Sequence, residues 1–287
     1  MGLDRSPAAP GTGATRPFAP GRLLTIANGP LVVTIAPQAG GRIAQITYRG
    51  EPLLVEYATE TSAMIAWGSY PMVPWAGRVR DGCFDFQGNG YQLPLNLDEH
   101  AIHGVGFGLP WRMDAHEKDF IELSLALPND ERWPFGGEAG QRIEAGNGWL
   151  RMKLWVRAVG MAMPVTIGWH PWFRKPERLD FTPGKIYPRD RRGIATTPCV
   201  DPTPGPWDDC FINTDPVLLH YPGQSVRLLS DCEHWVVYDE TTYATCAEPQ
   251  SGPPDSFNIE PTILQLGQRL ERNFLIEWTD VSKAAIK

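Results

Sequence analysis

The hydrophobic positions of this chain recur every second residue, in short runs, far more often than at helical spacing. In "WLRMKLWVRAV", Leu150, Met152, Leu154, Val156 and Ala158 alternate with Arg151, Lys153, Trp155 and Arg157. A period of two places the first set on one face of a β-strand and the second on the other. "FIELSLAL" at 120–127 and "NFLIEW" at 273–278 read the same way. From Leu23 onward "LLTIA", "LVVTIA" and "RIAQITY" follow one another across "NGP" and "PQAGG" turn chemistry. In "CFDFQGNGYQL" two aromatic-bearing runs flank Asn89-Gly90, a dipeptide that tolerates positive φ, and this predicts a hairpin turning there. Helical period survives only in "VEYATETSAMIA" at 55–66, because 28 prolines and 29 glycines are spread along the chain. The expectation is an all-β protein, a sandwich or barrel with many short strands and long loops rather than an α/β sheet.

Composition narrows this to one body. At 287 residues and 42% hydrophobic the chain can build a sizeable core, and neither an internal repeat nor a convincing linker divides it. Residues 1–21 are rich in Pro, Gly and Ala and poor in large apolar groups, which predicts a flexible tail before a single domain over 22–287. The formal charge of −7 argues against nucleic acid and anionic membranes as partners and leaves a small neutral or cationic substrate. Five cysteines, an odd number with no C-x-x-C pair, suit reduced thiols in the cytoplasm. No run of about 18 apolar residues occurs, and the N-terminal stretch lacks the apolar segment of an export signal, so a soluble cytoplasmic protein is expected.

Five polar stretches stand in aromatic or Pro/Gly-rich surroundings and hold the candidate chemistry. Arg78 in "PWAGRVRDG" offers a planar fork of donors suited to adjacent hydroxyls. Asn96 and His103 lie in "LNLDEHAIHG". There His100 and His103 form H-x-x-H beside Asp98 and Glu99, but that spacing puts the two imidazoles on opposite faces of a strand, so no metal site is expected. His170 in "GWHPWF" is flanked by rings and prolines that would hold it in a partly dry site, where an imidazole can give or take a proton near neutrality. Asp208 and Asp209 follow Trp207, a pairing of ring and carboxylate that suits a sugar. Glu248 precedes Pro249 at an apparent strand end, as a proton acceptor could. Each also has a structural reading: a paired arginine, a packed histidine, loop acids, a surface glutamate. No G-x-S-x-G elbow and no phosphate-binding glycine loop is present in a strand-to-helix context.

In this order the five stretches resemble the aldose 1-epimerase (mutarotase) family: "AGRVRDGCF", "LPLN" with "AIHG", "GWHPWF", "DDCF" and "EPQSGPPDSFN", over most of the chain from about Gly40. The resemblance implies a large antiparallel β-sandwich of the galactose mutarotase-like kind. It implies that Glu248 is the general base and His170 the general acid, with His103 assisting, in interconverting the anomers of a free aldohexose. It assigns Arg78 and Asp208 to the sugar's hydroxyls, with Asn96 a lesser candidate, and it implies neither cofactor nor metal. The rings around His170 would then form an apolar wall for the sugar, with Trp172, Trp169 and Phe173 the candidates to face it. Asp208 is preferred to Asp209 because it stands three residues before Phe211. Two alternatives share the fold: a hexose-6-phosphate 1-epimerase, for which Arg80 and Arg174 could serve the phosphate, and a sugar-binding protein without catalysis, which would not need both an acid and a base.

Overall fold

The computed structural model describes residues 13–58 and 62–280. Two antiparallel sheets dominate them. One has ten strands, in the spatial order Leu24–Asn28, Leu31–Ala36, Arg42–Tyr48, Ser69–Met72, Gly168–Arg174, Ala244–Gln250, His234–Tyr238, Asp208–Ile212 and Lys185–Tyr187, with Glu51–Pro52 beside Arg42–Tyr48. The other has eight: Arg112–His116, Phe120–Ala126, Glu138–Gly146, Trp149–Arg157, Arg269–Asp280, Gln224–Ser230, Val217–Tyr221 and Arg178–Asp180.

The alternation along Trp149–Arg157 does what its period implies. Leu150, Met152, Leu154 and Val156 are buried, and the intervening residues are at most partly so. The buried set faces the ten-stranded sheet and shares one apolar core with Ile26, Val33, Ile46, Trp169, Phe173, Trp235 and Ala247. Rings cross between the sheets: Phe274 of the eight-stranded sheet meets Trp169 at 5.7 Å and Trp235 at 6.0 Å between centroids. The molecule is thus a sandwich rather than a closed barrel, with side chains from two inner faces interdigitating. Among the described residues no helix is long and apolar enough to cross a membrane. The five cysteines form no disulfide.

Three expectations need correction. The hairpin over Cys83–Gln92 forms, but it turns at Gln87-Gly88, both at positive φ, and Asn89 and Gly90 belong to its second strand. That register sets Phe84 against Tyr91, whose rings stack with centroids 5.3 Å apart, and buries Phe84 against Phe135 and Phe257. A turn at Asn89-Gly90 would pair Phe86 with Leu93 instead, so side-chain packing overrides the local turn signal. The helical period at 55–66 yields no helix in its described part, 55–58 and 62–66, where Val55 instead donates its N–H to Trp172 O at 2.8 Å. Among the described residues the one α-helix is the single turn Ser256–Ile259.

The flexible tail expected over 1–21 is the third. Residues 1–12 lie outside the described residues, but Gly13–Phe18 are fastened down. Ala14 is buried and donates to Asn96 O at 2.8 Å, its own carbonyl accepts from Ile65, and Phe18 packs against Arg42. A segment of small residues can be fixed by backbone hydrogen bonds that composition does not register.

Candidate active site

Because side chains alternate along a strand, the residues of Gly168–Arg174 divide between two surroundings. Trp169 and Phe173 enter the core between the sheets, while His170 and Trp172 point to the outward face of the ten-stranded sheet. The same rule on Ala244–Gln250 sends Ala247 inward and Cys246, Glu248 and Gln250 outward. The register pairs Trp172 with Cys246 and Gly168 with Gln250, which sets His170 opposite Glu248. The two meet: His170 Nε2 lies 3.2 Å from Glu248 Oε1, and both side chains are more than nine-tenths buried. The sequence-predicted acid and base are therefore in direct contact.

Rings hold the imidazole. Tyr70, its cross-strand partner, stacks on it at 4.8 Å, and Trp172, two residues along, at 5.4 Å with planes 12° apart. Among the described residues Nδ1 meets no partner beyond the residue's own backbone, so stacking and the Glu248 contact set the ring's orientation. Trp172 is itself fixed by a 2.6 Å hydrogen bond from Nε1 to Ile65 O and by Tyr243 stacked beyond it. It forms an aromatic wall beside His170.

The second histidine arrives on a loop. His103 sits at φ 61° and Gly104 at φ 74°, and a Cβ on Gly104 would stand 2.0 Å from Val73 O and 2.4 Å from its carbonyl carbon. Only glycine allows that approach, which brings the His103 ring to 5.0 Å from that of His170. Gly104→Ala will lower stability by about 2–3 kcal/mol, read as a fall in the urea midpoint, because strained φ and a backbone clash act together. An unchanged midpoint would mean that Val73 moves aside freely. His103 Nδ1 accepts the Gly77 N–H at 3.3 Å, which leaves the proton of the neutral ring on Nε2 as a donor.

Arg78 stands on a two-residue strand paired with Ala101–Ile102, so the arginine and the His103 loop are carried together. The "PPDSFN" stretch fixes that strand. Asp255 N–H donates to Arg78 O at 2.6 Å, Asp255 Oδ1 accepts from Arg80 N, and Asn258 Nδ2 donates to Cys83 O. Among the described residues the Arg78 guanidinium has no hydrogen-bonded or ion-paired partner. Asp208 and Asp209 are both bound by Arg189. Of the two, Asp208 lies opposite Tyr238 on the outward row, and its charge acts on Glu248.

The electrostatics follow from burial. Desolvation holds Glu248 well above the usual carboxylate range, with Asp208 adding to it and Gln250 and Arg78 opposing. Desolvation lowers His170 to about 3, and the charges of Arg42 and Arg78 push the same way. His103 is held well below an ordinary imidazole by burial, then by His170 and Arg78. A buried acid and base in contact, with neutral forms favoured on both, share a single proton.

One predicted residue is not available. Both amide atoms of Asn96 bond to the backbone of Ile102, at 2.7 and 3.1 Å, so this side chain positions the loop before His103 rather than a sugar. The H-x-x-H pair does not converge either. His100 Nδ1 accepts from Asp81 N, and its Nε2 faces Arg192 O. Several neighbours escaped the sequence reading. Gln250, which donates to Glu248 Oε2 at 3.2 Å, and Cys246 could have been found by stepping two residues from Glu248. Tyr70 and Arg42 carried no such signal. Arg42 is fully buried, bonded to four backbone carbonyls and stacked 4.2 Å from Trp67 and 5.0 Å from Tyr70.

A family model described as aldose 1-epimerase matches residues 22–276. YihR, an uncharacterized protein of Escherichia coli K12, is 28% identical over 284 residues, covering 86% of this chain and 90% of its own. A galactose mutarotase-like protein from Clostridium acetobutylicum superposes with a TM-score of 0.80 at 15% identity, over 90% of this chain and 95% of that one. A galactose 1-epimerase from Lactobacillus acidophilus gives a TM-score of 0.76 at 17% identity, over 90% and 94%. At such identities the structural likeness establishes the fold alone.

Proposed function

We propose, from the premise that this chain belongs to the aldose 1-epimerase family, that it interconverts the α and β anomers of a free aldose by opening and reclosing the sugar ring at the His170–Glu248 pair. The observation that carries this reading is the 3.2 Å contact between the two side chains in a buried setting. Ring opening needs one proton taken from the anomeric hydroxyl and one given to the ring oxygen, and both oxygens are bonded to the same carbon. An acid and a base on facing positions of adjacent strands suit that demand.

Glu248 removes the anomeric hydroxyl proton while protonated His170 donates to the ring oxygen, and the C1–O5 bond breaks to give an aldehyde. The step leaves His170 neutral and Glu248 protonated. Rotation about C1–C2 turns the other carbonyl face toward the pair. Reclosure returns the proton from the C5 hydroxyl to His170 and moves the Glu248 proton to the former carbonyl oxygen, which yields the other anomer. The direct His170–Glu248 contact gives the shared proton a path between the two resting forms. His103, neutral with its proton on Nε2, serves as a fixed donor to a sugar hydroxyl rather than as a proton carrier. The free fork of Arg78 and the carboxylate of Asp208 take further hydroxyls.

A free sugar is favoured over a 6-phosphate because Arg80 is already committed, 2.8 Å from Asp190 and 3.8 Å from Asp255. Catalytic amounts of the protein will speed the polarimetric equilibration of freshly dissolved α-D-glucose or α-D-galactose. A panel of aldoses run with a hexose 6-phosphate checks both points. Relaxation no faster than in buffer for every sugar overturns the enzymatic reading, and acceleration confined to the phosphate overturns the choice of substrate.

A further inference from the structure

One side chain on the outward row that carries Glu248 takes no part in the proposed chemistry. Cys246 stands two residues before Glu248 on the same strand, is fully buried, and makes no disulfide. Its sulfur, an imidazole nitrogen of His170 and a carboxylate oxygen of Glu248 all lie within 4.8 Å of one another. We propose that His170, Cys246 and Glu248 form a binding site for one thiophilic divalent cation of the zinc type, and that the cation and the sugar exclude one another.

The donor set selects the metal. Imidazole nitrogen, thiolate and a carboxylate are the three side-chain ligands zinc takes, at about 2.0 to 2.3 Å and in tetrahedral array. Those lengths put neighbouring ligand atoms about 3.3–3.6 Å apart. The His170–Glu248 edge already measures 3.2 Å. The sulfur therefore needs to close by little more than about 1 Å to complete a three-ligand face, with the fourth position left to water. Magnesium and calcium call for six or more oxygens, which this cluster does not supply. The charge balances as well, since a divalent cation with one thiolate and one carboxylate is neutral, and a neutral assembly suits a buried place.

Binding must displace protons. Burial holds the Cys246 thiol and the Glu248 carboxyl well above their ordinary values, so both enter the complex by releasing a proton, and affinity rises with pH. A cation so placed occupies both groups that the reaction needs. It acts as an inhibitor rather than a cofactor, a role distinct from any H-x-x-H site. Mutual exclusion rests on the functional reading above; cation binding does not.

The test uses the full chain. Cobalt(II) added to the wild type will produce the near-ultraviolet charge-transfer band of cysteinate ligation, and zinc will abolish it at one equivalent. Calorimetry in two buffers of different ionisation heat will show proton release on zinc binding. Cys246→Ser will lose the band and bind zinc at least about 100-fold more weakly. Its sugar relaxation without metal will match the wild type but no longer respond to zinc. In the wild type zinc will slow relaxation, excess sugar will relieve the slowing, and a chelator will reverse it. Absence of the sulfur band in the wild type, or equal zinc affinity in Cys246→Ser, overturns the site. Because the band is read on the wild type, poor folding of the variant leaves the proposal testable. A protein that accelerates no sugar yet shows the band would refute the function and keep the metal site.

Discussion

Replacing Glu248 by glutamine will slow anomer interconversion by about 10²–10⁴-fold and leave the fold in place. The amide keeps the size and planarity of the carboxyl and can still accept the hydrogen bond that Gln250 Nε2 gives to Oε2. What it cannot do is take a proton. Stability has a definite sign here. The carboxyl's folded-state value is raised by burial, so its contribution to stability is fully present below the ordinary carboxylate range and is lost as pH rises through the folded value. Near and above neutrality the neutral amide avoids that loss, and the urea midpoint of Glu248→Gln is expected at or above that of the wild type. Polarimetric relaxation of α-D-galactose measured beside the denaturation curve separates the two effects. A rate within tenfold of wild type in a well-folded variant removes Glu248 from the role of base.

The ease of reading this fold from its sequence varies with where the information sits. Strand Trp149–Arg157 is legible because its period of two is local, and the same holds for Phe120–Ala126. The turn of the Cys83–Gln92 hairpin is misread because its register is set by Phe84 and Tyr91 packing under Phe135, a contact between segments about 45 residues apart. The candidate site divides in the same way. His170, Glu248, His103 and Arg78 belong to motifs, and Trp172 follows from His170 by strand alternation. Tyr70 lies on a strand nearly a hundred residues earlier, and only sheet order makes it the neighbour that stacks on His170. Asn96 shows the converse: a motif position near the site whose amide is engaged in holding Ile102.

His170→Asn will also slow the reaction by about 10²–10⁴-fold, and the wild-type pH profile will show why the ring is suited to its task. Asparagine keeps a neutral polar group between Tyr70 and Trp172 but cannot carry a proton to the ring oxygen. The pair works with one proton in total, so activity falls where a second is added and where the single one is lost. The second proton has to go onto His170, whose value burial, Arg42 and Arg78 depress to about 3. The acid limb therefore lies well below the titration of an ordinary imidazole at about 6.5. The single proton leaves from the raised Glu248 carboxyl, so the alkaline limb lies well above the usual carboxylate range. Between them the rate above buffer is expected to stay level as pH falls through the 6 to 7 interval in which a solvent-exposed histidine would change charge. Relaxation rates of a free aldose across that interval, taken as kcat/KM after subtracting the buffer rate, decide the matter. A midpoint near 6.5 that disappears in His170→Asn means that water reaches the imidazole and that burial does not govern its proton. A level wild-type profile with a uniformly slow variant assigns the proton to a dry, stacked ring in contact with Glu248.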